Sequence, residues 1–178
     1  MNQKESTCSI NTITIGDDRL SIEDVLKVAL NGGSVSLSVR SEFRGRIEKS
    51  AAFLERLLTD GEVIYGVNTG YGDSCTVRTP DDLVVEMPLH ITRCHGCGLG
   101  EYLDEQATLA VLVCRINSLA QGYSGVRMEL LQQLVALIQH HILPIIPEEG
   151  SVGASGDLTP LSYVAATLIG ERDAIYQD

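Results

Sequence analysis

Apolar and polar positions along this chain alternate in two distinct rhythms. A short alternating run, Thr12-Ile13-Thr14-Ile15, predicts a strand ending at Gly16. Ser21 then offers a helix cap, and the helix it opens should run to about Leu30, where Asn31-Gly32-Gly33 stops it. Ser34 to Leu37 alternates again and is the candidate partner of the first strand. From about Ser41 to Thr59 the period becomes helical, with Phe43, Ile47, Phe53, Leu54, Leu57 and Leu58 on one side and Gly61 as terminator. Thr79-Pro80-Asp81-Asp82 carries the signals of a helix start: a capping Thr, Pro at the first position and acids in the first turn. Pro88 falls within that pattern and should kink or restart it. Two long helices follow, about Asp104 to Ala120 and about Val126 to Ile142, with Pro144 ending the second. Their apolar faces are Leu109, Val113 and Ile116, and Leu130, Leu134, Leu137, Ile138 and Ile142. Neither internal repeats nor low-complexity linkers interrupt this mainly helical plan.

Composition narrows the function without pointing to one. The 178 residues suffice for one modest domain with a real core. Thirteen Lys and Arg against twenty-four Asp and Glu give a net charge of −11, which leaves no basic face for nucleic acid. Five cysteines (Cys8, Cys75, Cys94, Cys97 and Cys114) are an odd number at low density, which suits a reducing cytosol and a cytoplasmic protein. Met1 to Glu5 is polar, so no signal peptide is expected, and no apolar run is long enough to span a membrane.

Candidate chemistry begins at Gly150-Ser151-Val152-Gly153-Ala154-Ser155-Gly156-Asp157-Leu158. A glycine-rich loop ahead of a helix is usually a turn or a phosphate cradle. Here no Lys follows the glycines, and Asp157 would set a negative charge where a phosphate belongs. The alternative is backbone cyclisation. The amide nitrogen of Gly156 can attack the carbonyl carbon of Ala154 only if it is unhindered and the turn is tight; Gly156 has no Cβ, and Ala154 has the smallest ordinary side chain. Loss of water closes a five-membered ring, and loss of the Ser155 hydroxyl leaves an exocyclic methylene. The product, a 4-methylidene-imidazol-5-one, is an electrophile no ordinary side chain supplies.

A second glycine-punctuated loop, Tyr65-Gly66-Val67-Asn68-Thr69-Gly70-Tyr71-Gly72, has a tyrosine at its head. It reads either as a turn with Asn and Gly at positive φ and Tyr65 packed on a core, or as a mobile loop presenting a phenol to a reaction centre. Arg93-Cys94-His95-Gly96-Cys97 raises a metal or redox reading through its C-x-x-C spacing. A structural zinc usually draws on four ligands, and neither His90 nor His140-His141 supplies a matching pair, so no metal is expected.

Together the two loops resemble the aromatic amino acid ammonia-lyase and aminomutase family, which includes histidine, phenylalanine and tyrosine ammonia-lyases. The block Arg115-Ile116-Asn117-Ser118-Leu119-Ala120-Gln121-Gly122-Tyr123-Ser124-Gly125-Val126-Arg127 matches a third family motif, and Leu158-Thr159-Pro160-Leu161-Ser162-Tyr163 continues the first. The resemblance covers about residues 60–178. It implies a mainly α fold: the N-terminal part of the ammonia-lyase (fumarase/aspartase-like) helical fold, with a small N-terminal β element. It also implies elimination of ammonia from an aromatic L-amino acid to give the α,β-unsaturated acid. The electrophile would be made from Ala154, Ser155 and Gly156, and Tyr65 would be the base, a phenol of ordinary pKa about 10 that must be held partly as phenolate. His95, with Cys94, sits where family members select the substrate ring, although a satisfied helix-end histidine is the plain alternative. Asn117 would support the electrophile's surroundings. Asp157 would either cap the following helix or help the loop cyclise. Tyr71 stands where Phe is common, and Gly96-Cys97 replaces small apolar residues. Histidine, tyrosine and phenylalanine all stay open as substrate, and an aminomutase giving a β-amino acid or a non-catalytic assembly module are the competing readings. Family members are much longer and form homotetramers, so residues 1–178 are expected to be the N-terminal portion of a catalytic chain. Such a portion should be inactive alone, and the faces of its two long helices should lack partners and promote self-association.

Overall fold

A computed structural model describes residues 12–153 and 158–176. The first unit forms for local reasons. Strand β1 (Thr12–Ile15) and strand β2 (Ser34–Leu37) pair in parallel, Thr12 opposite Ser34 through Ile15 opposite Leu37, joined by helix α1 (Ile22–Asn31). Ser21 and Asp24 close a reciprocal capping box at the start of α1. At its end Gly32 turns left-handed at φ 63°, and Gly33 N–H donates to the Lys27 carbonyl (2.9 Å).

Helix α2 (Ser41–Thr59) follows, then a 3₁₀ turn (Gly72–Thr76) and helix α3 (Met87–His95). Strand β3 (Leu99–Tyr102) leads into helices α4 (Glu105–Leu119) and α5 (Met128–Gln139). The chain ends with strands β4 (Ile142–Pro144) and β5 (Pro147–Glu149), helix α6 (Leu158–Leu168) and strand β6 (Ala174–Tyr176). β3 pairs antiparallel with β5, and β4 with β6. The fold is thus mainly α, with three two-stranded pairs among the described residues. Helix α4 is its axis: α1 and α5 pack on it, and Leu112, Val113 and Ile116 are fully buried there.

Four expectations need correction. The second long helix does not reach Ile142. It stops at Gln139, His141 takes a left-handed φ of 48°, and Ile142 enters a ladder opposite Tyr176. The Leu143–Pro144 junction favours extended backbone, which agrees with the strand. Thr79 does not cap a helix: residues 81–86 run as turns, and the helix begins only at Met87 with Pro88 in its first turn, while Thr79 N–H donates to the Asn68 carbonyl (2.9 Å). Helix α2 buries Phe43 and Ile47 but leaves Phe53 half-exposed, with the Arg56 guanidinium over its ring at 5.2 Å. Finally, the faces of α4 and α5 do not lack partners. Leu109, Val113, Ile116, Leu134, Leu137 and Ile138 are all buried within this chain, so the exposed patch expected on them is absent.

Candidate active site

The Tyr65 loop is held from inside by two buried polar side chains. Asn68, 3% exposed, accepts from Ile64 N–H through Oδ1 and donates to the Glu62 carbonyl through Nδ2, both at 2.7 Å. Thr69, 1% exposed, accepts from Gly66 N–H (3.1 Å) and donates to the Gly70 carbonyl (2.9 Å). Asn68 is therefore a clamp and does not take positive φ; Gly66 and Gly72 do, at 71° and 55°. Tyr65 is not packed on a core: it is 62% exposed, and its Oη accepts from Gly72 N–H (3.0 Å). A backbone donor aimed at that oxygen is the contact that negative charge on a phenol needs.

Tyr71 joins this loop to His95. Its ring meets Tyr65 edge-to-face at 5.9 Å and His95 edge-to-face at 6.2 Å. Its hydroxyl donates to the Gly66 carbonyl (2.7 Å). Burial, and then the Tyr65 phenol beside it, push the Tyr71 phenol up, which keeps it a donor.

His95 closes α3, and the segment after it is stitched to the helix that follows Ala154-Ser155-Gly156. Gly98 N–H donates to Tyr163 Oη (3.2 Å) on α6, and Arg172 donates to the Gly96 carbonyl (2.6 Å) while lying over the Tyr163 ring at 4.1 Å. Arg93 grips Glu171 through two hydrogen bonds of 3.0 and 2.8 Å, which hold the Glu171 carboxyl below its usual range. A cavity of about 770 Å³ opens beside these contacts, bordered by Arg93, Gly98, Tyr163, Glu171 and Arg172. Two glycines permit this approach. A Cβ on Gly98 would stand 2.8 Å from Pro147 Cβ, and one on Gly150 would stand 2.5 Å from Thr159 Cγ2. Residues 150 and 159 thus touch.

The structure brings Tyr65 and His95 together through Tyr71. Asn117 lies elsewhere: it borders a cavity of about 340 Å³ with Asp17, Arg19, Asp24 and Lys27, which none of Tyr65, Tyr71 and His95 lines. Ala154, Ser155, Gly156 and Asp157 lie outside the described residues. Among the described residues, no three His, Cys, Asp or Glu side chains are grouped to hold a metal, and Cys75, Cys94, Cys97 and Cys114 are free and exposed. Sequence gives no separate site role to Tyr71, Asn68, Gly98 or Gly150. The first two lie in the Tyr65 loop and Gly150 opens the other glycine-rich motif, whereas nothing in the sequence marks Gly98.

Known proteins resemble this chain over most of its length. Residues 20–178 match the family model for aromatic amino acid lyase. Histidine ammonia-lyase of Staphylococcus aureus is 39% identical over 166 residues, covering 93% of this chain and 32% of the relative. Tyrosine aminomutase from Streptomyces globisporus superposes with a TM-score of 0.85 at 34% identity, covering 93% of this chain and 31% of that one. Histidine ammonia-lyase from Trypanosoma cruzi gives 0.80 at 28% identity, again covering 93% and 31%. The chain spans about a third of the length of the relatives it matches. With both glycine-rich loops inside the matched region, the chain belongs to the aromatic amino acid lyase family.

Proposed function

We propose that this chain supplies the base and the electrophile of an enzyme that eliminates ammonia from an aromatic L-amino acid. One observation carries the reading. The Tyr65 loop and His95 meet through Tyr71, and His95 ends a helix whose following residues are fastened to α6, directly after Ala154-Ser155-Gly156. The residues present fit a 4-methylidene-imidazol-5-one. What supports this among the described residues is the pinch between the two flanks of the segment: a Cβ on Gly150 would stand 2.5 Å from Thr159 Cγ2. That group, once formed, would activate the substrate amino nitrogen as a leaving group.

The described residues divide the remaining work. Tyr65 Oη takes the β-proton of the substrate, and Gly72 N–H stabilises the charge on that oxygen beforehand. His95 faces the substrate ring. Asn68 and Thr69 hold the loop so that the phenol does not wander. As the electrons of the broken C–H bond form the Cα–Cβ double bond, the C–N bond breaks and ammonia leaves with the unsaturated acid. The reading includes a cytoplasmic homotetramer and residues from beyond this chain.

The likeness to tyrosine aminomutase favours a second reading, in which ammonia is returned to the β-carbon. Product analysis on histidine, tyrosine and phenylalanine separates the two: an unsaturated acid for a lyase, a β-amino acid for a mutase. In the full-length enzyme the intact mass should fall short by two waters, and Ser155→Ala should restore at least the water lost from that hydroxyl and remove most activity while sparing the fold. A full-mass, active Ser155→Ala enzyme would sink the mechanism. Tyr65→Phe keeps the ring and removes its ionisable group, so kcat should fall on the order of 10²-fold or more. Equal kcat for both forms would make Tyr65 structural.

A further inference from the structure

We propose that Tyr71 is a positioning residue for Tyr65, acting through a reciprocal clamp in which each phenol bonds the backbone of the residue that follows the other. The proposal rests on the reading of Tyr65 as the base. Tyr65 Oη accepts from Gly72 N–H at 3.0 Å, and Tyr71 Oη donates to the Gly66 carbonyl at 2.7 Å. The two bonds tie residues 65–66 to residues 71–72 across a loop whose glycines would otherwise leave it many conformations. The Tyr71 ring reinforces the tie: a Cβ on Gly66 would lie 2.9 Å from Tyr71 Cε1, so the ring rests directly on the Gly66 backbone. The same ring is edge-to-face with both Tyr65 and His95. Tyr71 is thus the side chain through which the base and the candidate ring-contacting histidine keep a fixed relation.

A phenylalanine at this position would keep both ring contacts but lose the bond to Gly66. The hydroxyl has an effect only if the conformation of Tyr65 depends on it. Gly72 N–H reports that dependence, because its acceptor is Tyr65 and not Tyr71.

The test is a double-mutant cycle in the full-length enzyme with Tyr71→Phe, Tyr65→Phe and the pair, on whichever of histidine, tyrosine or phenylalanine is turned over fastest. Tyr71→Phe should lower kcat about 5- to 10-fold, the scale of one neutral hydrogen bond, with KM within about twofold. In the Tyr65→Phe background the same change should add less than about twofold, because the residue it positions has already lost its function. Hydrogen exchange at the Gly72 amide should quicken about 5-fold in Tyr71→Phe, on the same hydrogen-bond scale. Equal penalties in both backgrounds, a wild-type kcat for Tyr71→Phe, or unchanged exchange at Gly72 would each overturn the clamp while leaving Tyr65 as the base. A wild-type kcat for Tyr65→Phe would overturn both readings.

Discussion

Removing the Asn68 carboxamide should loosen the Tyr65 loop without melting the protein. Asn68→Ala deletes two hydrogen bonds of 2.7 Å, one accepted from Ile64 N–H and one donated to the Glu62 carbonyl, at a side chain that is 3% exposed. Each such bond contributes about 1 kcal/mol net, so local order should fall by about 2 kcal/mol, and more if the freed backbone groups stay shielded from water. At about 1.4 kcal/mol per tenfold, that is roughly a 30-fold rise in the population of the open loop. Hydrogen exchange at the Ile64 amide reads this population directly. The main core, built where α1 and α5 pack on α4, does not include Asn68, so the melting temperature should move little. In the full-length enzyme kcat should fall as well, since a base held less firmly in place is a weaker base. An Asn68→Ala enzyme with unchanged exchange at Ile64 and unchanged kcat would refute the claim that Asn68 holds this loop.

Gly150→Ala would set a Cβ 2.5 Å from Thr159 Cγ2, so it should cost about 1–3 kcal/mol in stability and lower turnover, and Thr159→Ser in the same chain should restore part of both; a Gly150→Ala enzyme with normal melting and turnover would show that the pinch is dispensable. Asp24 should make α1 acid-sensitive. Its hydrogen bond from Lys27, then those from Ser21, lower its pKa to about 2, so its contribution is complete above the ordinary carboxylate range of about 4 and is lost as pH falls through about 2. Amide signals of α1 followed by NMR across that window should fade earlier than those of α4, and Asp24→Asn should remove the difference.

The elements that sequence located are those whose causes lie within a few residues. Ser21, Asp24 and Gly32 bracket α1 by local hydrogen bonds, and β1 and β2 alternate over four residues each. The periodicity of α4 survives because its partners α1 and α5 come from the same chain. Failures occurred where a distant partner overrode a local signal. Ile142 continues the helical period of α5, yet the ladder with Tyr176 claims it. Thr79 has every mark of a cap, yet the residues after it run as turns and its own backbone is tied to the Asn68 carbonyl in the Tyr65 loop. Strands β3 to β6 went unnoticed because three or four residues, several of them Pro or Gly, leave too short a pattern to read.

The candidate site divides along the same line. Residue type names what Tyr65 and His95 can do, and the family resemblance marks each of them as a candidate. What holds them is a set of contacts that no spacing encodes. An asparagine between glycines suggests a left-handed turn, but a buried Asn68 whose amide meets a donor and an acceptor at 2.7 Å is better used as a clamp. Gly98 and Gly150 are the sharper case. Neither has positive φ, so neither is required by a turn. Each is required because another side chain, Pro147 or Thr159, occupies the volume its Cβ would fill. Such a glycine looks like any loop glycine in a single sequence, and its reason exists only after β5, the end of α3 and α6 have met. The same meeting places His95 near the helix that follows Ala154-Ser155-Gly156. A larger residue at either position should therefore disturb the site while leaving the cap of α1 and the core around α4 untouched.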